Sequence, residues 1–270
     1  MKKSKAVATP YLVWMVAFIV IPLAFVVYYA FTTKSGSFTL NNITGLGSYA
    51  SVFLLSIMLA ILATVICLII AYPASFLLSR MRVGRQGIML MLVMLPMWMN
   101  FLLRTYAWMT LLERNGIINS FLGLFGIGPF EMLNTTGAVV LGMVYNYLPY
   151  MILPLYTAML KIDNSLIEAA EDLGAGRLKK FTRVILPLSR PGINTGIVMA
   201  FVPSVSTFAI SKLLGGGNVW LAGDLIESQF FGNTSNYNLG SAMSLVLMVV
   251  VLLCMSLTSG FDSEDAEGVA

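Results

Sequence analysis

No charged residue occurs between Lys34 and Arg80, and no other feature of the sequence restricts the fold as strongly. Within that interval the stretch from Ser51 to Leu78 is almost wholly apolar, longer than the roughly 20 residues a helix needs to cross a hydrocarbon core. In lipid such a run is stable as a helix, which satisfies its backbone polar groups within the segment. The interval therefore predicts a transmembrane helix, entered from a loop marked by Asn41, Asn42, Gly45 and Gly47.

The pattern recurs along the chain. Ala6 to Thr33 is uncharged and follows Lys2, Lys3 and Lys5; it exceeds the roughly 7–15-residue core of a signal peptide, so it reads as a retained first span. A third span is expected over Ile88–Leu112, interrupted at Arg104. A fourth covers Gly137–Leu160, a fifth Gly192–Ser211 and a sixth Leu239–Leu257. Only 10% of the 270 residues are charged, against roughly 25% in soluble domains, and the mean hydropathy is +0.86. The fold class is all-α, a polytopic membrane protein of about six transmembrane helices. Its expected parts are an N-terminal transmembrane helix (1–33), a five-helix core (51–260) and an acidic disordered tail (261–270).

The net charge of +4 does not point to nucleic acid, because the basic residues cluster beside the apolar runs as orientation signals. Twelve of the sixteen fall on one side: Lys2, Lys3, Lys5, Arg80, Arg82, Arg85, Lys161, Arg177, Lys179, Lys180, Arg183 and Arg190. Lys34, Arg104, Arg114 and Lys212 fall on the other. The excess predicts cytoplasmic N- and C-termini. Cys67 and Cys254 lie in apolar runs and read as buried thiols, and there is no histidine. Within the fifth span, Pro203, Ser204, Ser206 and Thr207 break the apolar run at a depth where irregular backbone needs protein or a water-lined cavity beside it.

Lys161–Arg190 is a long polar loop between spans four and five. Ser165 with Glu168 fits a capping box, which would start a helix at Leu166. Gly174 allows a turn that other residues resist. A second helix is expected over Arg177–Ile185, stopping before Pro187. Ala169 and Ala170 give the first helix a small face that a partner groove could approach closely.

In this loop, Glu168-Ala169-Ala170, then Gly174, then Val184-Ile185-Leu186-Pro187 resembles the EAA loop of binding-protein-dependent ABC permeases, with Val184 where isoleucine is usual. The resemblance implies a type I importer (MetI-like) permease fold, an EAA loop at 161–190, and ATPase coupling through Glu168, Ala169, Ala170, Gly174, Leu186 and Pro187. It implies a second permease subunit, two ATPase subunits, an extracytoplasmic substrate-binding protein and a bacterial inner-membrane location. The sequence has no GxxxxGK[ST] phosphate loop, so the chain is expected to hold no cofactor, with ATP handled by the partner subunits.

Trp98, Asn100, Arg104-Thr105-Tyr106-Ala107-Trp108, the run Leu148–Tyr156, and Gly215-Gly216-Gly217 leading to Asp224 and Gln229 are similar to spermidine/putrescine permeases. The resemblance implies a polyamine substrate. Polyamines are flexible polycations, for which aromatic faces and carboxylates compensate lost water. Trp98, Tyr106, Trp108, Tyr145 and Tyr147 could supply faces, and Glu113, Asp224 and Glu227 charge. Each also fits an interfacial aromatic belt or a solvated outer-loop acid. Arg104 is expected to snorkel to the outer interface or pair with Glu113, with gating as the alternative.

Two other readings stand beside this one: a permease for another small substrate, and a secondary transporter or cation channel. No span holds the carboxylate that ion-coupled transport usually needs. An intramembrane enzyme has no acid pair, histidine or metal cluster to work with.

Overall fold

The computed structural model describes residues 2–232 and 235–267, with side chains described for 9–232 and 235–256. The chain is built from helices, and among the described residues the one β feature is an isolated bridge between Thr32 and Phe38. In order, the helices are α1 (Lys2–Met15), α2 (Ile21–Ala30), α3 (Asn41–Thr44), α4 (Ala50–Ser79), α5 (Val83–Trp98), α6 (Phe101–Leu112) and α7 (Ile117–Gly123). There follow α8 (Thr136–Leu160), α9 (Asn164–Asp172), α10 (Arg177–Lys180), α11 (Leu186–Val205), α12 (Ala209–Leu214), α13 (Ala222–Phe231) and α14 (Tyr237–Glu267). A π turn, Val16–Val20, joins α1 to α2, and another, Phe181–Ile185, joins α10 to α11.

Among the described residues five helical stretches are long and apolar enough to cross a membrane: Thr9–Ala30, Asn41–Ser79, Thr136–Leu160, Arg177–Val205 and Tyr237–Ser256. The third span expected over 88–112 is instead a sharply bent pair of helices: Val83–Trp98 and Phe101–Gly123 meet at 90°. The cause lies in Met99-Asn100: both are extended, and Asn100 Oδ1 caps a new helix by accepting from the Leu102 N–H at 2.9 Å and the Leu103 N–H at 3.4 Å.

Helix α8 is the centre of the bundle, flanked by α4 and α11. Its inward residues Val139, Met143, Met151, Leu155 and Met159 are fully buried. A second cluster forms where α2 lies along α14. Two asparagines fix the end of the first span there. Asn238 donates to the carbonyls of Tyr29 (3.1 Å) and Thr32 (2.7 Å), and Asn42 to those of Ala30 (3.1 Å) and Thr32 (2.9 Å). The first span is otherwise apolar and exposed on its flanks, as a lipid-facing helix should be.

Three further expectations are corrected. The helix of the 161–190 loop begins at Asn164, not Leu166, because Asp163 is its cap: Asp163 Oδ1 accepts from the Ser165 N–H at 3.0 Å. The following helix does not stop before Pro187. The π turn lets the chain pass Pro187 and Pro191 without a break, so that 177–205 is one helical rod. The tail expected to be disordered over 261–270 is helical through Glu267, as no proline interrupts α14 and Gly260, just before this stretch, costs only about 1 kcal/mol. Residues 268–270 lie outside the described residues.

Candidate functional site

At the loop end of the bundle, the chain reverses at Gly174, whose φ of +76° lies in the left-handed region. The Gly174 N–H donates to the Glu171 carbonyl (2.8 Å) and the Ala175 N–H to that of Ala170 (2.9 Å), closing α9. An ion pair between Lys180 and Glu171 holds α10 against α9. Bonding to the Ser165 N–H holds the exposed Asp163 carboxyl below its usual range. Glu168 and Ala169 face outward and Ala170 is half-buried. Leu166, Leu173 and Leu178 are exposed beside them, an apolar surface at the tip of an otherwise polar loop.

Two contacts that sequence reasoning missed tie this loop to α4. Arg80, capping the end of α4, donates to Asn164 Oδ1 and to the Ile162 carbonyl at 3.4 Å, and its guanidinium lies over the Phe76 ring at 5.6 Å. Tyr72 and Ser189 share a hydrogen bond of 2.9 Å, and the Tyr72 ring meets Phe181 edge-on at 5.5 Å. Arg80 was legible only as an orientation signal, since a basic residue after a span is ordinarily just that. Leu186 and Pro187 are half-buried where the loop becomes α11.

The other end of α11 stops at Val205, and Ser206–Phe208 is the irregular segment expected within span five. It sits against protein, with Ser204 and Thr207 buried. Tyr147 of α8 donates to the Pro203 carbonyl at 3.2 Å. The expected snorkelling or pairing with Glu113 is not found: Arg104 is 8% exposed, and its Nε and one Nη are shut from solvent with no acceptor. Positions 104 and 113 are separated by roughly 900° of helical rotation at 100° per residue, which sets them on opposite faces. Glu113 instead lines a cavity of ≈ 490 Å³ with Arg114 and Glu131.

The remaining predicted residues divide. Trp108 and Tyr145 stack edge-on at 5.3 Å, Tyr106 is half-exposed, and Trp98 is 74% exposed at the α5/α6 bend. Asp224 and Glu227 meet at a cavity of ≈ 330 Å³ together with Lys212, Trp220, Ser228 and Phe231. Their roles differ. Asp224 is buried and starts α13, accepting the Leu221 N–H at 2.8 Å, while Ser56 of α4 accepts the Ala222 N–H at 2.7 Å. Burial pushes the Asp224 carboxyl up, against the lowering effect of Ser211, the Leu221 N–H and Lys212. Glu227 holds the Lys212 ammonium at 3.1 Å from each oxygen. Gly223 presses on the span-five break so closely that a Cβ would lie 2.4 Å from the Thr207 carbonyl oxygen. Cys67 is buried and Cys254 half-buried, and no disulfide joins them.

Comparison with known proteins places this arrangement. The chain is 42% identical over 250 residues to the spermidine/putrescine transport system permease protein PotB of Haemophilus influenzae, covering 89% of this chain and 87% of the relative. It is 35% identical over 252 residues to the Escherichia coli protein of the same description, covering 90% and 91%. Among solved structures it is similar to a bacterial ABC transporter involved in import of the acidic polysaccharide alginate, with a TM-score of 0.77 and 17% identity over 96% of this chain and 94% of that one. A second structure of an alginate ABC transporter, in complex with an alginate pentasaccharide-bound periplasmic protein, gives 0.73 and 16% over 94% and 91%. The fold is therefore that of an ABC importer permease, MetI-like. Residues 6–262 match the family model described as the inner membrane component of binding-protein-dependent transport systems, and the chain belongs to that family.

Proposed function

We propose that the chain is one permease subunit of a polyamine importer, with the 161–190 loop as the lever through which separate ATPase subunits drive it. The observation that carries this is mechanical continuity. The loop is bound to α4 through Arg80–Asn164 and Tyr72–Ser189, and its second limb is one rod with α11 up to Val205. Beyond the rod lie the break at 206–208, Gly223 packed on it, and the acidic cavity. A push on the loop reaches the cavity through a single packed line.

In this reading the loop faces the cytoplasm, and so do both termini, as the distribution of Lys and Arg favours. Glu168, Ala169, Ala170 and Gly174, with the exposed leucines, form the surface for an ATPase subunit; Leu186 and Pro187 sit at the root of the rod. ATP is bound and hydrolysed by those subunits, and this chain contributes no catalytic group and holds no cofactor. A second permease subunit completes the path across the bilayer of the bacterial inner membrane, and an extracytoplasmic binding protein delivers substrate. The chain's similarity to relatives described as spermidine/putrescine permeases supports the substrate class. Trp108, Tyr145 and Tyr106 supply aromatic faces, Glu227 supplies charge, and Asp224 shapes the cavity from below.

The test is uptake of radiolabelled spermidine and putrescine into vesicles holding the complete complex, loaded with ATP on the loop side and supplied with binding protein on the other. Accumulation that requires ATP is expected. Transport without the ATPase subunits would refute the powered mechanism, and transport of an uncharged solute with no uptake of polyamine would refute the substrate class.

A further inference from the structure

Lys212 is the last basic residue in the chain: after Arg190 no other lysine or arginine occurs. It stands on α12, just past the break in span five, and reaches across to α13 so that its ammonium sits 3.1 Å from both oxygens of Glu227. The pair lies at the cavity that Trp220, Asp224, Ser228 and Phe231 also line. Asp224 spends its carboxylate on the Leu221 N–H, which leaves Glu227 as the carboxylate able to exchange partners. The lysine side chain is 62% exposed and that of Glu227 28%, so the ion pair is weak and reversible. Trp220 is half-exposed beside it, its Nε1–H held by the Gly217 carbonyl at 2.9 Å.

We propose that Lys212 is a tethered ammonium that occupies the Glu227 site when substrate is absent, and that a primary ammonium group of the polycation displaces it. This deepens the polyamine reading and rests on it. A lysine side chain ends in the same group as a polyamine, a primary ammonium on a methylene stem, and the Glu227 carboxylate receives both in the same way. The stem of the entering molecule finds the Trp220 face and the apolar wall at Phe231. The self-occupied site keeps a bare carboxylate from holding small cations, and it sets a threshold that a multivalent ligand crosses. Because α12 and α13 flank the break at 206–208, releasing Lys212 frees the two limbs of this outer hairpin from one another at the end of the α11 rod.

Equilibrium binding of radiolabelled spermidine to the purified complex in lipid nanodiscs, without binding protein, tests this. Lys212→Gln is expected to bind about fivefold more tightly than the unaltered complex, the size of one exposed ion pair. Lys212→Arg should bind like the unaltered complex, and Glu227→Gln about fivefold or more weakly. The double variant should match Glu227→Gln, because the lysine acts only through that carboxylate. If Lys212→Gln binds spermidine equally or more weakly while the unaltered complex still imports it, the tethered ammonium is refuted and the polyamine reading stands. If the unaltered complex neither binds nor imports spermidine, the polyamine reading fails and takes the proposal with it.

Discussion

The Arg80 guanidinium, at the end of α4, donates to Asn164 Oδ1 at the first residue of α9. With its longer bond to the Ile162 carbonyl, this joins the second span to the start of the loop between spans four and five, and Arg80 Nε and one Nη remain buried without acceptors. Arg80→Ala removes a charge-assisted bond worth about 1.5–3 kcal/mol. The expected result is a loss of about tenfold or more in substrate-stimulated ATP hydrolysis by the reconstituted complex, with membrane insertion intact. Unchanged stimulation would show that the loop does not act through α4.

Gly174→Val places a β-branched side chain at φ +76°, at a cost of about 1–2 kcal/mol for a residue with a Cβ in the left-handed region. No neighbour lies within 4 Å of its added Cβ, so the effect is conformational and confined to the loop. Insertion should be normal and substrate-stimulated ATP hydrolysis lost; Gly174→Asn, which tolerates left-handed backbone better, should retain part of it.

Asp163 caps α9, and its folded carboxyl titrates below the ordinary value because its charged form is bonded to the Ser165 N–H. The folded state therefore binds fewer protons than the unfolded state between the two values. The cap's contribution is fully present above the ordinary carboxylate value and fades as pH falls through the lowered one. The protection of the Ser165 and Leu166 amides, their exchange relative to the intrinsic rate at each pH, should fall with acidification in the unaltered chain. Asp163→Asn should remove this pH dependence of protection while keeping the cap, and Asp163→Ala should give low protection at every pH.

Arg104 is buried with two nitrogens lacking acceptors, and unpaired buried charge is costly. Arg104→Met fills similar volume without the charge. The detergent-solubilised protein is expected to melt at the same temperature or a few degrees higher, at roughly 2–4 °C per kcal/mol for a chain near this size. A fall of several degrees would mean that the guanidinium has an acceptor that stabilises it.

The spans were legible because apolar runs bounded by charge carry their own signal, and the break in span five because Ser204, Ser206 and Thr207 interrupt its apolar run, although α11 itself continues through Pro203 to Val205. The turn at Gly174 was legible for the same local reason. What escaped were local competitions between caps and turns, together with contacts between more distant segments. Nothing near Ser165 reveals that Asp163 wins the cap, because both side chains are good acceptors and stand only two residues apart. Pro187 reads as a stop until the π turn that carries the chain past it is seen. The 90° bend at Met99-Asn100 hides within an apolar run, where only the capping power of Asn100 hints at it. Asp224 and Glu227 were found as acids near one end, but their division into helix cap and exchangeable carboxylate depends on the turn at Leu221, three residues before Asp224, and on Lys212, which packing brings to Glu227.

The account depends most on the loop at 161–190 being held by an ATPase subunit on the cytoplasmic side. Ala169→Cys, in a chain whose Cys67 and Cys254 are replaced by serine, can be labelled with a membrane-impermeant maleimide in vesicles of either orientation. The account predicts labelling only in inside-out vesicles, and protection once the ATPase subunits are added. Labelling in right-side-out vesicles, or equal labelling with and without the ATPase subunits, would contradict it.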